Sequence, residues 1–369
     1  MAKLTEVSIA EAQRALRSAM VADVPIHFVG PPGVGKSAIV EAFARDAGVP
    51  CETLLLSLCD PTDVGGLPIA QPDGSVVRLP LGQIARAARG PVILFGDEYT
   101  TAPPSVQNAF LRVVLARWAG DVRLHSGTRP ILASNPPDQT SGGSETPLAM
   151  IGRVQTFALR PTVVEVSSYM AQLGPEESTL RMLGVDLAAT LESRPDLIQF
   201  DPPAGTLQSG TPWGAPRAWE RGLRHVTAEL DSGAPESDPF LATCLAGAIG
   251  EDMAGAWVAI RHVRGKLPAR AEIVRDPKGS KLPTDVESGV GALGLLAQVA
   301  LEDPCAAWVY GARVGQGPSD PLAEVRIALT RSLIRHGIES SRKSKHYADA
   351  TRARVVMLGA IGRDAAEVA

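Results

Sequence analysis

The strongest constraint on this chain is the run Gly30-Pro31-Pro32-Gly33-Val34-Gly35-Lys36-Ser37, a complete Gly-x4-Gly-Lys-Ser. It follows an apolar tetrapeptide, Ile26-His27-Phe28-Val29, and precedes a segment from Ala38 to Ala47 in which Ile39, Val40, Phe43 and Ala47 keep helical spacing. Strand, glycine-rich loop and helix in that order define a specific local fold. Glycines let the main chain turn tightly enough to aim several N–H groups at one anion. The helix that follows adds the positive end of its dipole at the same point. A phosphate chain is the ligand such a cradle suits. Lys36 would neutralise its β- and γ-phosphates, and the Ser37 hydroxyl offers a hard oxygen to Mg²⁺. Gly30, Pro31, Pro32, Gly33, Val34, Gly35, Lys36, Ser37 and Ala38 are the candidate binding residues.

A second motif completes the chemistry. Val92-Ile93-Leu94-Phe95-Gly96-Asp97-Glu98 is an apolar strand that ends in paired acids. At the carboxyl end of a parallel sheet, beside the phosphate loop, Asp97 can orient the Mg²⁺ shell together with Ser37. Glu98 is then placed to polarise an attacking water. Ser134-Asn135-Pro136 ends a further apolar run, Ile131 to Ser134, and its amide could hold that water or the γ-phosphate.

The rest of the first half supports a parallel sheet. Apolar runs at 53–56 and 154–159 join those at 26–29, 92–95 and 131–134, with helical pattern between several of them, notably Val106 to Trp118. Continuous apolar strands alternating with helices indicate a sheet covered on both faces. Ser8-Ile9-Ala10-Glu11 reads as a capping box opening an amphipathic helix. Two hairpins are expected as inserts, one at 66–80 with Asp73-Gly74 at its turn, the other at 119–129 around Gly120-Asp121. After Pro161 strand signals fade, and Pro/Gly-rich breaks divide a helical second half. With 369 residues, more than one core is expected.

Taken together, the motif order Gly-Pro-Pro-Gly-Val-Gly-Lys-Ser, Phe-Gly-Asp-Glu-Tyr and Ala-Ser-Asn-Pro-Pro resembles the MoxR branch of the AAA+ ATPases. Asp60 to Gly66 is similar to that branch's helix-2 insert, and Arg117 to Arg129 to its hairpin before sensor 1. The resemblance implies Walker A at Lys36 and Ser37, Walker B at Asp97 and Glu98, and sensor 1 at Asn135. In Leu148 to Val154, Gly152 and Val154 stand where the family shows Asp-Arg-Phe, and Arg153 would be the arginine finger. Ala215-Pro216-Arg217-Ala218 is similar to sensor 2, with Arg217 reaching the γ-phosphate. A guanidinium can meet the charge that develops on a transferred phosphoryl group bidentately.

The expected architecture is an α/β P-loop NTPase core with a parallel sheet at 1–160, a helical lid with sensor 2 at 161–265, and a mainly helical C-terminal extension at 266–369. ATP and Mg²⁺ would sit between core and lid. The implied activity is ATP hydrolysis driving a chaperone-like remodelling motor, a cytoplasmic homo-oligomer in a hexameric ring, since closed heterologous rings set one subunit's edge on the next one's site. Partners carrying a von Willebrand factor A domain follow from the resemblance alone. Two alternatives are a DNA- or RNA-dependent motor or loader and a nucleotide switch with negligible turnover. The net charge of −4 gives no electrostatic footing for nucleic acid, and no apolar run is long enough for membrane insertion. Cys51, Cys59, Cys244 and Cys305 show no Cys-x-x-Cys pair and no metal-ligand spacing with the six histidines. Cys51 and Cys59 are expected as small buried hydrophobes, and His27 as a packed core residue.

Overall fold

The computed structural model describes residues 4–140, 149–191, 193–264, 266–316, 320–334 and 342–361. They form two compact units: Met1–Thr162 with Phe200–Thr211, and Val163–Gln199 with Pro212–Ala369.

The first unit is built on a six-stranded, all-parallel sheet. In chain order its strands and helices are β1 (Glu6–Val7), α1 (Ile9–Ala22), β2 (Ile26–Val29), α2 (Lys36–Asp46), β3 (Cys51–Leu55), α3 (Pro61–Gly65), β4 (Leu67–Ala70), β5 (Val76–Leu79), α4 (Gly82–Arg89), β6 (Ile93–Asp97), α5 (Pro104–Ala116), β7 (Trp118–Ala119), β8 (Val122–Arg123), β9 (Arg129–Ser134) and β10 (Gln155–Leu159). The sheet runs β1-β10-β2-β9-β6-β3, while β4-β5 and β7-β8 are separate antiparallel pairs. The two pairs are the expected hairpin inserts.

Both faces of the sheet are dry, which is why its strands read as unbroken apolar runs. On one side Ile26, Phe28, Phe95 and Ile131 pack with Leu16 of α1 and Ile39, Val40 and Phe43 of α2. On the other, Leu54, Leu94 and Leu132 pack with Val106, Phe110 and Val113 of α5. Alternation along β6 settles which residue goes where: Ile93 and Phe95 face the first layer, Leu94 the second. The capping box at Ser8 is present, with Ser8 Oγ accepting from Glu11 N and Glu11 accepting from Ser8 N. Cys51 and Cys59 depart from the expectation. Both are half-buried rather than buried, because Cys51 opens the outermost strand β3 and Cys59 lies just past its end.

The second unit is helical. It opens with α6 (Val163–Met170) and α7 (Thr179–Thr190). After α8 (Thr206–Ser209), a turn of the first unit, follow α9 (Pro216–Asp231), α10 (Pro239–Ile249), α11 (Glu251–Arg264), α12 (Arg270–Arg275), α13 (Val286–Glu302), α14 (Pro304–Gly311), α15 (Ala323–Ile334) and α16 (Tyr347–Ile361). A single core draws on α7, α12, α13, α14, α15 and α16 and encloses Trp308 and Tyr310 completely. Asp303 caps α14, accepting from the N–H groups of Cys305 and Ala306. Trp219 of α9 meets Trp257 of α11 edge to face, 5.8 Å between centroids. Trp219, Trp257 and Trp308 are fully buried, and Trp213 is half-buried. No helix among the described residues is long and apolar enough to cross a membrane.

Candidate functional site

Strand order assembles the site. Strand β9 lies between β2 and β6, and all three are parallel. Their carboxyl ends therefore emerge side by side: the glycine-rich loop after β2, Asn135 after β9, Asp97 at the end of β6. Register tightens the arrangement, with Val29 opposite Ser134 and the Gly30 N–H donating to the Ser134 carbonyl at 3.1 Å.

The loop from Gly30 to Gly35 reverses the chain into α2. Gly33 and Gly35 take φ of +82° and +99°, a region side chains resist. Gly35 is the residue before Lys36 at the start of α2, and its carbonyl accepts the first helical bond, from Ile39 N at 2.9 Å. The N–H groups of Lys36, Ser37 and Ala38 thus belong to a helix turn that has no preceding turn to bond to. Val34 is buried and anchors the loop. At Gly30 an added Cβ would lie 3.1 Å from the Leu159 carbonyl oxygen, so close strand contact also calls for glycine there.

Lys36 is buried, with only 7% of its surface exposed. Its ammonium donates to the Gly30 carbonyl at 2.7 Å, the Pro31 carbonyl at 3.0 Å and Asn135 Oδ1 at 2.7 Å. Ser37 Oγ donates to Asp97 Oδ2 at 2.5 Å, and Asp97 Oδ1 accepts from Glu98 N at 2.8 Å. Glu98 has φ of +55°, unusual for a residue with a side chain. Its carboxylate accepts a hydrogen bond from Ser57 Oγ. The sheet explains this pair: Leu55 of β3 stands opposite Asp97 of β6, so Ser57 and Glu98 lie just beyond one end of the same ladder.

Beneath the site, His27 Nε2 and Ser134 Oγ are 2.7 Å apart. Burial, and secondly the charge of Lys36, push the His27 pKa down to about 4. The imidazole is neutral at physiological pH and joins β2 to β9 one residue before Asn135.

These side chains suit a magnesium-bound nucleoside triphosphate. A hydroxyl and a carboxylate oxygen 2.5 Å apart form the hard oxygen set that Mg²⁺ prefers. The space a Cβ would take at Gly35 is open. Lys36 bonds Asn135 and Ser37 bonds Asp97, the two pairs being joined by the chain at Lys36–Ser37, and Glu98 follows Asp97.

Two further expected site residues are arginines. Arg153 is exposed in the turn before β10, its guanidinium directed at the Ala149 carbonyl at 3.5 Å. Leu148, the first residue of the segment that carries it, lies outside the described residues. Arg217 is the exposed second residue of α9, in the second unit. Sequence reasoning missed Ser57, because a lone serine after a strand carries no signal. It also missed the link from His27 to Ser134, which needs the pairing of β2 with β9 to become visible.

Residues 25–146 match the family described as AAA domain (dynein-related subfamily). No curated protein matches the sequence. Among solved structures the chain is similar to NtrX from Brucella abortus, at 15% identity and a TM-score of 0.40, over 75% of this chain and 63% of that one. It is also similar to the Holliday junction branch migration motor RuvB of Thermotoga maritima, at 16% identity and a TM-score of 0.36, over 84% of this chain and 89% of that one. The chain thus spans less than two thirds of the NtrX chain.

Proposed function

From a chain whose residues 25–146 are an AAA domain of the dynein-related subfamily, we propose an ATP-hydrolysing, MoxR-like motor that remodels a partner protein, with a von Willebrand factor A domain as the partner class. The observation that carries this reading is the hydrogen-bonded set Lys36–Asn135 and Ser37–Asp97, with Glu98 next in sequence. It gathers a phosphate-neutralising cation, a hard oxygen pair and a carboxylate at the carboxyl ends of three central strands.

In this reading the amides of Gly33 to Ala38 bind the phosphates, and Lys36 neutralises them. Ser37 and Asp97 would hold Mg²⁺, which supplies charge stabilisation to the transferring phosphoryl group. Glu98 accepts the proton of the attacking water, and Asn135 orients that water or the γ-phosphate. Once bound, the phosphates compete with the Gly30 and Pro31 carbonyls and with Asn135 for the Lys36 ammonium. The hydrogen bonds around the cradle are therefore rearranged by the ligand, and this change is available to drive motion.

Arg217 is proposed as the sensor-2 arginine, and Arg153 as a finger acting on a neighbouring subunit of a hexameric ring. Among the described residues the Arg153 guanidinium meets the Ala149 carbonyl, and the side chain is exposed, a position from which it can reach another subunit. A protein that stays monomeric by light scattering at every ATP concentration would remove the trans role.

The test is steady-state phosphate release by the wild type and Glu98→Gln, alongside ATP binding by each. The reading expects the variant to bind ATP and to lose turnover by a factor of about 10² or more. Equal turnover in both would remove Glu98 from the chemistry. Turnover that rises steeply with added DNA at low salt would favour a nucleic-acid motor instead.

A further inference from the structure

Far along the chain from the phosphate loop, helices α9 and α10 bring together three residues that the sequence keeps apart. His225 and Glu229 lie four positions apart on α9, so they share one face, a turn from each other. Cys244 lies on α10, buried at the α9–α10 contact. The close approach of the helices depends on Gly222, one turn before His225. A Cβ there would sit 2.7 Å from Leu245 Cδ1 and 3.2 Å from the Ala248 Cβ. Without that clearance α10 could not present Cys244 to α9.

The resulting geometry is that of a ligand set. One ligand atom from each of His225, Glu229 and Cys244 lies within 4.8 Å of the others. His225 Nε2 and Cys244 Sγ are 3.6 Å apart. Two such ligands on one tetrahedral zinc ion, with bonds of about 2.0 Å to nitrogen and about 2.3 Å to sulfur, are separated by about 3.5 Å. The donor chemistry agrees: one soft sulfur, one borderline imidazole nitrogen and one carboxylate suit Zn²⁺ better than Mg²⁺ or Ca²⁺. Because His225 is exposed, solvent can reach a fourth position.

We propose that His225, Glu229 and Cys244 form a transition-metal site of the zinc type, with water as fourth ligand, that clamps α9 to α10. Burial pushes the Cys244 thiol up from its ordinary value, and the negative charges of Glu229 and Asp238 push it further. A bound divalent cation reverses that bias and releases the thiol proton to solvent as the metal–sulfur bond forms. The clamp would hold the helix that begins with Pro216 and Arg217, and its existence does not depend on ATP hydrolysis.

The experiment uses the full chain, stripped of metal by a chelator and titrated with Co²⁺ as a spectroscopic probe, then with Zn²⁺. The expected result is a near-ultraviolet thiolate-to-cobalt band with visible bands of tetrahedral intensity, saturating at one equivalent and displaced by Zn²⁺. Cys244→Ser should abolish the near-ultraviolet band. His225→Ala and Glu229→Gln, whose side chains lie toward the surface, should each weaken Co²⁺ binding by about tenfold or more. They keep the test decisive should the cysteine variant fold poorly. No near-ultraviolet band, or a band that survives Cys244→Ser, would overturn the proposal. So would unchanged affinity in both of the other variants.

Discussion

The Ser57 hydroxyl donates a hydrogen bond to the Glu98 carboxylate, linking the end of one strand to the residue that follows its neighbour. That hydrogen bond occupies one oxygen of the carboxylate and fixes its direction. Hydrogen bonds to charged groups contribute about 1.5–3 kcal/mol, enough to decide where Glu98 points. Ser57→Ala should therefore raise basal phosphate release by about threefold to tenfold, with ATP affinity little changed. A fall in turnover would mean that Ser57 instead holds Glu98 in its working position.

His27 gives the protein a pH-dependent stability. Its pKa, pushed down to about 4 by burial and by Lys36, lies below the ordinary 6.5 of an unfolded chain. Between those values the unfolded state binds the extra proton, so stability falls as pH drops from about 6.5 toward 4. At about 1.4 kcal/mol per unit, the full loss is on the order of 3 kcal/mol. Urea unfolding at pH 7 and pH 4.5 should show a smaller drop in midpoint for His27→Gln than for the wild type. An identical drop in both would remove His27 as a source of acid sensitivity.

Gly96 precedes Asp97 and has no room for a side chain. A Cβ there would lie 2.7 Å from the Phe110 ring and 2.8 Å from Leu56 Cδ1. Gly96→Ala should cost about 1–3 kcal/mol through overpacking, measured as a lower urea midpoint. Displacing the end of β6 should also weaken magnesium-dependent ATP binding. A variant of wild-type stability and affinity would show that Phe110 and Leu56 yield freely.

The first unit was legible because its signals are local. A sheet buried on both faces writes each central strand as an apolar run, and the glycines of the loop are fixed by backbone angles that other residues resist. Strand β1 went unseen: two residues, of which only Val7 is buried, carry no period. In the second unit α14 is buried on every side, from Cys305 to Gly311, so amphipathic alternation gives no guide to its neighbours. Ala189, Ala297, Ala300, Ala306 and Ala307 fill that core with small side chains, which mark no face. Intervals along the chain carry no information about the pair His225 and Cys244. Their contact comes from the packing of two helices across a turn, not from intervals along the chain.

The central claim is that the loop from Gly30 to Ser37 grips a nucleoside triphosphate, and equilibrium binding of ATP with and without Mg²⁺ tests it most directly. The account predicts saturable binding at one site per chain, strengthened by Mg²⁺. Lys36→Ala, which removes the cation bonded to Gly30, Pro31 and Asn135, should weaken it by about 10² or more. A wild-type protein that takes up no ATP, or a Lys36→Ala variant that binds it as tightly, would contradict the account.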